Sequence, residues 1–486
     1  MKIDGKIEKI AFGTDGWRGI IARDFTFENV KIAAQAVVIY LKKGLSNKNF
    51  LSHRVMIGYD GRFLSNRFAL ATAEVLAGNG IKVVVSNHPI PGPALSFSVV
   101  NEKAKLGIMI TASHNPYEYN GFKIKTESGA PADRNTTNQI EKYLYKCKPR
   151  TGGEIEYKDL LSPYIKKVSS LVDMELLGNA EFSIVFDPMF GSGRDLLPEI
   201  LKDSKCKVIS IHSSSDPLFG GLRPEPIRKN LNELAGEVIR RKADTGIATD
   251  GDADRVGVID ETGRYLTPHQ VFPLLISYLV EVKKKKGKVV QTISMGYLGE
   301  RIANFYGLPF QEVPVGFKYV SEVMLKEDVL IGGEESGGYG YSGYIPERDG
   351  ILSALILLEM IARKGRRLSW ILTDLQRRFG RSCYERMDIR IPQNSGMKSL
   401  ELKEKITGSI VKKAPGKIAG MKIRELRTYD GVKFILGSEN ITGGEAWLLL
   451  RPSGTEPLIR IYAEADSLKR VKELLKEGRQ MLSNYL

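Results

Sequence analysis

The apolar and polar positions of the chain follow two rhythms. Short apolar runs, such as Val55-Met56-Ile57 and Leu106-Gly107-Ile108-Met109-Ile110, end in clusters of Gly, Asp, Ser and Pro. Runs of this kind predict buried strands closed by turns. Between them lie stretches with helical spacing of apolar residues, at 29–42 and 67–76 before a strand at 81–85. Strand alternating with helix favours a largely parallel sheet. The theme recurs. A strand at 182–187 leads through Gly191-Ser192-Gly193 to a helix at 194–201, a strand at 207–211 and a helix at 230–241. Two strands then flank Asp250-Gly251-Asp252-Ala253-Asp254-Arg255. Further on come strands at 289–293 and 328–331 and a long helix at 351–364. From about 384 the pattern gains strand character, with Ala446-Trp447-Leu448-Leu449-Leu450, a strand at 458–463 and a closing helix at 467–484.

With 486 residues and about 100–200 per domain, three or four domains are expected. Arg150-Thr151-Gly152-Gly153 reads as one boundary. The composition, 42% hydrophobic and 27% charged, is that of a soluble globular protein. No apolar run reaches the ~18 residues of a membrane span, and Met1-Lys2-Ile3-Asp4-Gly5-Lys6 lacks an apolar signal region. Three separated cysteines, Cys147, Cys206 and Cys383, form no CxxC and fit a reducing compartment. A cytoplasmic location is therefore expected. Five scattered histidines argue against a zinc site. The net charge of +15 suits anionic small substrates or nucleic acid. The run Lys283-Lys284-Lys285-Lys286-Gly287-Lys288 has no interleaved aromatics on which bases could stack, so no nucleic-acid partner is expected.

Candidate chemistry sits at the ends of strands, where open α/β sheets handle ligands. Thr111-Ala112-Ser113-His114-Asn115-Pro116 places a hydroxyl nucleophile, Ser113, on a turn; the same residues also make an ordinary turn or cap. Asp250, Asp252 and Asp254 alternate, so in extended chain their side chains fall on one side. Their mutual repulsion calls for a cation, and all-oxygen ligands suit Mg²⁺ or Ca²⁺. An EF-hand reading, with Glu261 at the last position, fails because Arg255 stands where a Gly is needed. Gly332-Gly333-Glu334-Glu335-Ser336-Gly337-Gly338 suits a polyhydroxyl ligand, since carboxylates accept hydrogen bonds from hydroxyls; by itself the stretch reads equally as a Gly-rich surface turn carrying two solvated acids. Arg451-Pro452-Ser453-Gly454-Thr455-Glu456-Pro457 has the guanidinium, hydroxyls and glycine of a phosphate cradle. Gly13-Thr14-Asp15-Gly16-Trp17-Arg18-Gly19 adds Arg18 as a phosphate-binding charge. Together these loops hold an inventory for phosphoryl transfer on a sugar phosphate.

In this order and spacing the loops resemble those of the α-D-phosphohexomutase family of phosphoglucomutases and phosphomannomutases, over essentially the whole chain. The resemblance implies three similar α/β domains and a C-terminal α+β domain around a central cleft. The expected boundaries are 1–153 with the phosphoserine loop, 154–263 with the metal loop, 264–383 with the sugar-binding loop, and 384–486 with the phosphate-binding loop. It implies that Ser113 carries a phosphoryl group and that Arg18 contacts it. Asp250, Asp252, Asp254 and the phosphorylated Ser113 would hold one Mg²⁺. Lys123 and His114 are the candidates for proton transfer. Arg255, Lys318, Glu334, Ser336, Arg451, Ser453, Gly454 and Thr455 would contact substrate. A hexose 1,6-bisphosphate is implied as intermediate and activator, and a monomer or homodimer as the assembly. Many bispecific members carry a histidine where this chain has Gly338. Phosphoglucosamine mutases commonly have other residues at Phe122 and Ala253, which favours glucose or mannose over glucosamine. Alternatives from other classes are a metal-dependent sugar-phosphate phosphatase and a non-catalytic sensor.

Overall fold

The structure is a computed structural model that describes residues 10–13, 16–44, 53–390, 407–437, 444–452 and 458–483. They form two compact units. One combines residues from 1–266, 316–326 and 336–368; the other combines residues from 267–315, 327–335 and 369–486.

The first unit holds two sheets. One has six strands, in the spatial order Trp17–Ile20, Tyr119–Thr126, Leu106–Ile110, Arg54–Tyr59, Lys82–Ser86, Glu156–Lys158. The four from Leu106–Ile110 outward are parallel. Tyr119–Thr126 returns antiparallel to Leu106–Ile110, and Trp17–Ile20 antiparallel to it. The Leu106–Ile110 strand is buried along its whole length, as its unbroken apolar run requires. At Gly107 a Cβ would lie 2.6 Å from Val99 Cγ2, so only a glycine lets the helix Gly92–Asn101 pack there. The helix Phe27–Gly44 turns Val30, Ala33, Ala34, Val37, Val38 and Leu41 into the core. That stripe follows the helical repeat, and it defines the helix more than intrinsic propensity does. Phe25 stacks on Trp17 at 4.7 Å and meets Phe68 edge-on at 4.8 Å.

The second sheet has the order Tyr265–Leu266, Val256–Asp260, Thr245–Thr249, Ser183–Asp187, Lys207–Ser210. Thr245–Thr249 and Val256–Asp260 are antiparallel neighbours, so the acidic loop between them is the turn of a hairpin. The helix Gly350–Lys364, apolar almost all round and buried through Ile361, belongs to this unit. It starts at Asp349, whose carboxylate accepts from Leu352 N at 2.8 Å, and it ends at Gly365 in the left-handed region.

The second unit contains three parallel strands, Phe310–Val313, Lys288–Thr292 and Val329–Gly333. It also contains an antiparallel sheet in the order Cys383–Arg390, Leu458–Ala465, Ala446–Pro452, Val432–Leu436, Met421–Arg427, Lys417–Ile418. Leu448, Leu450, Ile459, Ile461 and Ala463 share a core with Val471, Leu474 and Leu475 of the helix Leu468–Met481. Among the described residues no helix is long and apolar enough to cross a membrane. The three cysteines are free.

Asp349 generates a pH prediction. Its carboxylate is buried and also accepts from Tyr164 Oη at 3.0 Å and Tyr344 Oη at 3.1 Å. Burial pushes its pKa up to about 7, against the opposing pull of those hydrogen bonds. The folded state therefore holds a proton that the unfolded chain, near pKa ~3.9, releases. The protonated group costs nothing below about pH 4, and stability is lost as pH rises from there through about 7. Asp349→Asn keeps the cap acceptor and cannot ionise. Urea unfolding of both proteins at pH 4.5 and 7.5 is expected to favour the variant more at the higher pH, by about 1–4 kcal/mol. An equal difference at both pH values would contradict this reading.

Candidate active site

Ser113 lies just past the strand Leu106–Ile110, buried, at φ +50°. That left-handed backbone is rare for a residue with a Cβ and marks a strained turn. Its amide donates to Thr111 Oγ1 at 2.9 Å, and its Oγ donates to Asp250 Oδ2 at 2.8 Å. The Ser113 hydroxyl and the acidic loop, 137 residues apart in sequence, are thus in direct contact.

Carboxylate oxygens of Asp250, Asp252 and Asp254 converge within 4.8 Å of one another, all three residues buried. The expected one-sided alternation of an extended chain is not how they converge. Residues 250–255 form a turn: Ala253 N donates to Asp250 O at 3.0 Å and Ala253 sits at φ +53°. Asp250 Oδ1 then accepts from the amides of Asp254 at 2.9 Å and Arg255 at 3.1 Å. Burial first, then the charges of Asp254 and Asp252, push the Asp250 carboxyl well above its ordinary pKa.

Three cations offset this charge. Lys123, on the strand Tyr119–Thr126 and only 2% exposed, places Nζ 2.9 Å from Asp252 and 3.9 Å from Asp254. Arg348 Nη2 donates to Asp254 Oδ2 at 2.6 Å. Arg255 Nε stands 3.6 Å from Asp254 Oδ1, a buried atom with no hydrogen bond among the described residues. The cluster is thus an all-oxygen donor set in which Asp254 Oδ1 still lacks a hydrogen bond among the described residues. That is the chemistry of a divalent-cation site of the Mg²⁺ or Ca²⁺ type. Its residues fit such an ion.

Arg18, on Trp17–Ile20, donates from Nη1 to Asn115 Oδ1 at 2.5 Å, within the Ser113 turn. His114 Nδ1 is 3.4 Å from Ser113 Oγ. Burial, then Arg255, Arg18, Arg223 and Lys123, holds the imidazole well below its usual pKa. It is therefore neutral at pH 7.

In the glycine-rich stretch, Gly333 closes the strand Val329–Gly333 of the second unit, where Glu334 is also placed. Ser336 belongs to the first unit, and its Oγ is buried with no hydrogen bond among the described residues. Gly337 O accepts from Val256 N at 2.9 Å, which ties this part of the stretch to the strand after the acidic turn. At Gly338 a Cβ would fall 2.2 Å from Arg348 Cδ. The space a side chain would fill at 338 is taken by the arginine that pairs with Asp254. Lys318, in the helix Phe317–Met324, is buried with Nζ 5.0 Å from the Tyr319 ring centroid. In the second unit Arg451, at the end of Ala446–Pro452, pairs with Asp430 at 2.9 Å. Ser453, Gly454 and Thr455 lie outside the described residues.

Sequence reasoning missed Arg348, Asn115 and the buried pair Asp60–Arg62, in which Arg62 Nε is 3.2 Å from Asp60 Oδ2. The signal for the pair was present as a polar turn, Asp60-Gly61-Arg62, closing the strand Arg54–Tyr59.

The chain matches four family models: Phosphoglucomutase/phosphomannomutase, alpha/beta/alpha domain I over residues 9–150, domain II over 162–263 and domain III over 267–379, and the C-terminal domain over 403–480. A phosphoglucomutase/phosphomannomutase of Thermococcus kodakarensis is 30% identical over 98% of this chain and 99% of its own. A phosphoglucosamine/phosphogalactosamine mutase of Sulfurisphaera tokodaii is 29% identical over 97% of this chain and 98% of its own. Among solved structures, a Thermus thermophilus protein assigned as a phosphomannomutase is 35% identical, with TM-score 0.85 over 98% of this chain and 100% of that one. The Paramecium phosphoglucomutase parafusin, 22% identical with TM-score 0.79 over 98% of this chain and 96% of that one, shares the fold.

The acidic cluster generates a second prediction. Asp252→Asn removes one charged donor and leaves the turn's backbone bonds in place. Titration with Mn²⁺, followed by electron paramagnetic resonance of the free ion, is expected to show binding weakened at least about tenfold. Unchanged Mn²⁺ affinity would place the ion elsewhere.

Proposed function

The chain belongs to the phosphoglucomutase/phosphomannomutase family of α-D-phosphohexomutases, isomerase-class phosphotransferases, and we propose that it interconverts hexose 1-phosphate and hexose 6-phosphate, glucose or mannose, through phospho-Ser113 and a 1,6-bisphosphate. The observation that carries this reading is the 2.8 Å contact between Ser113 Oγ and Asp250 Oδ2. It puts a buried hydroxyl at an all-oxygen cation site, where a phosphoserine can share that cation. Mg²⁺, held by Asp250, Asp252, Asp254 and a phosphate oxygen on Ser113, would supply charge neutralisation to the moving phosphoryl group.

The protein's own groups do the rest. Phospho-Ser113 presents its phosphoryl group to the free hydroxyl of the sugar phosphate. Arg18, 2.5 Å from Asn115 Oδ1, is in place beside the turn to pair with phosphate oxygens. Lys123 supplies a second positive charge at the cluster. His114 takes the hydroxyl proton, a role favoured over Lys123 because its Nδ1 lies 3.4 Å from Ser113 Oγ while the ammonium is engaged by Asp252 at 2.9 Å. The bisphosphate then turns over and returns its other phosphoryl group to Ser113. Arg255, Lys318 and Ser336 are assigned to substrate contacts, the last by its buried hydroxyl lacking a hydrogen bond. Glu334 is assigned to ring hydroxyls, and Arg451 with Ser453, Gly454 and Thr455 to the phosphate that is not reacting.

A second reading replaces the hexose by glucosamine. It is favoured by the names of relatives, among them a phosphoglucosamine mutase of Methanocaldococcus jannaschii, 32% identical over 89% of this chain. Glucose 1-phosphate, mannose 1-phosphate and glucosamine 1-phosphate, compared in a coupled assay with inorganic phosphate followed in parallel, separate the readings. Fastest turnover of glucose or mannose, with little phosphate released, is expected. Stoichiometric phosphate release would mean a phosphatase. Ser113→Ala should lose at least about 10³-fold in kcat, as expected when a covalent nucleophile is removed. Residual activity above a tenth of wild type would end the phosphoserine mechanism.

A further inference from the structure

One guanidinium gathers most of the carbonyls of the Ser113 turn, while Arg223 Nε reaches His114 O at 3.3 Å. Arg62 Nη2 donates to Ser113 O at 2.5 Å and to Asn115 O at 2.6 Å. Its Nη1 donates to Pro116 O at 2.8 Å and to Tyr119 O at 3.1 Å. Four carbonyls within residues 113–119 thus point at a single planar fork. Such convergence is the inverse of an anion hole: backbone oxygens gathered around a fixed cation. The fork is itself fixed. The Arg62 side chain has no exposed surface, Asp60 Oδ2 lies 3.2 Å from Nε, and the Phe219 ring covers the guanidinium at 4.7 Å. Asp60 also accepts from Thr111 Oγ1 at 2.5 Å, from Ser65 Oγ at 2.7 Å and from Arg62 N at 3.0 Å. Thr111 Oγ1 in turn accepts from Ser113 N. Ser113 is therefore held at both its amide and its carbonyl by the Asp60–Arg62 pair, directly at one end and through Thr111 at the other.

The turn has only local backbone bonds of its own, Asn115 N to Ala112 O at 3.0 Å and Tyr119 N to Pro116 O at 3.1 Å, and its φ of +50° at Ser113 is one that a free chain abandons. We propose that Arg62 is the positioning residue of the phosphoryl transfer, holding Ser113 in its left-handed conformation so that Oγ points at Asp250. Arg62 does not touch substrate on this reading. It acts through the backbone of the residue that does. The proposal rests on the phosphoserine function above. Lysine keeps the charge but cannot serve four carbonyls with a planar fork, so charge alone does not replace it.

The test is uptake of a phosphoryl group by the dephosphorylated full-length, Mg²⁺-loaded protein from glucose 1,6-bisphosphate, quenched rapidly and read by intact mass. In that step the bond from phosphorus to the sugar oxygen breaks, the bond to Ser113 Oγ forms, and the serine proton ends on the sugar oxygen. Amplitude reports the fraction of correctly folded protein; the rate constant at saturation reports positioning. Arg62→Lys and Arg62→Gln are expected to keep the amplitude and the half-saturating bisphosphate concentration, while the rate constant falls about 10–100-fold, the cost of a nucleophile misplaced by about 1 Å. A rate constant within about threefold of wild type overturns the proposal, as does a lost amplitude with an unchanged rate constant, which marks a purely structural arginine. If both Arg62 variants fail to fold, Asp60→Asn leaves the guanidinium in place but loosens it. That variant is expected to be at least about tenfold slower, and a wild-type rate from it overturns the proposal equally. Wild-type protein that takes up no phosphate on Ser113 would overturn the function itself, and the positioning role with it.

Discussion

Three carboxylates that must share a buried space are the constraint around which the first unit is arranged. Two unit charges about 4 Å apart at an effective dielectric near 20 repel by about 4 kcal/mol, and here there are three within 4.8 Å. The surroundings supply what this demands. Lys123 comes from the returning strand Tyr119–Thr126, Arg348 from the segment before the helix Gly350–Lys364, and two amides from the acidic turn itself. Leaving one member of a buried ion pair without its partner costs about 3–5 kcal/mol. Neither cation is therefore dispensable, and neither can be moved without disturbing the carboxylates.

The strain at Ser113 belongs to the same constraint. A hydroxyl aimed at a cluster of oxygens must sit at the end of a strand, buried, with its side chain turned back toward the neighbouring sheet. The left-handed backbone does this, and the Asp60–Arg62 pair holds it in that shape. The pair, too, is a buried charge on both sides, with neither side chain exposed. Its worth lies in geometry more than in stability, since a buried ion pair roughly breaks even against apolar packing.

How much of this the sequence carries depends on the range of the interaction. Strands such as Leu106–Ile110 and helices such as Phe27–Gly44 are written in local periodicity and were legible from it to within a few residues. The acidic loop was legible as a cluster of charges because the repulsion is visible in the letters, though the convergence comes from a turn and not from extended alternation. Arg62 was not legible. Its partners lie 51 to 57 residues away, and the strand-end turn Asp60-Gly61-Arg62 looks like any polar turn. Arg348 is 94 residues from Asp254, inside a stretch whose own pattern announces only the start of a helix. Side chains that meet across two sheets leave no periodic trace.

The glycine of the acidic loop shows where the tolerance of the site is set. A Cβ on Gly251 would lie 2.4 Å from Ser113 O, the same oxygen that accepts from Arg62 at 2.5 Å. The nucleophile's turn and the acidic turn therefore meet backbone to backbone, with no side chain between them to yield. Gly92 N donates to Asp252 O at 2.8 Å on the other side of the acidic turn, which adds a second contact of the same kind. Side-chain packing can relax by changing rotamer, but two peptide planes in contact can relax only by moving whole strands. The spacing between Ser113 Oγ and Asp250 is thus set by the sheets themselves. A substitution that widens the gap between the turns, even by one methyl group, separates the Ser113 hydroxyl from the acidic cluster while leaving every side chain of both turns in the protein.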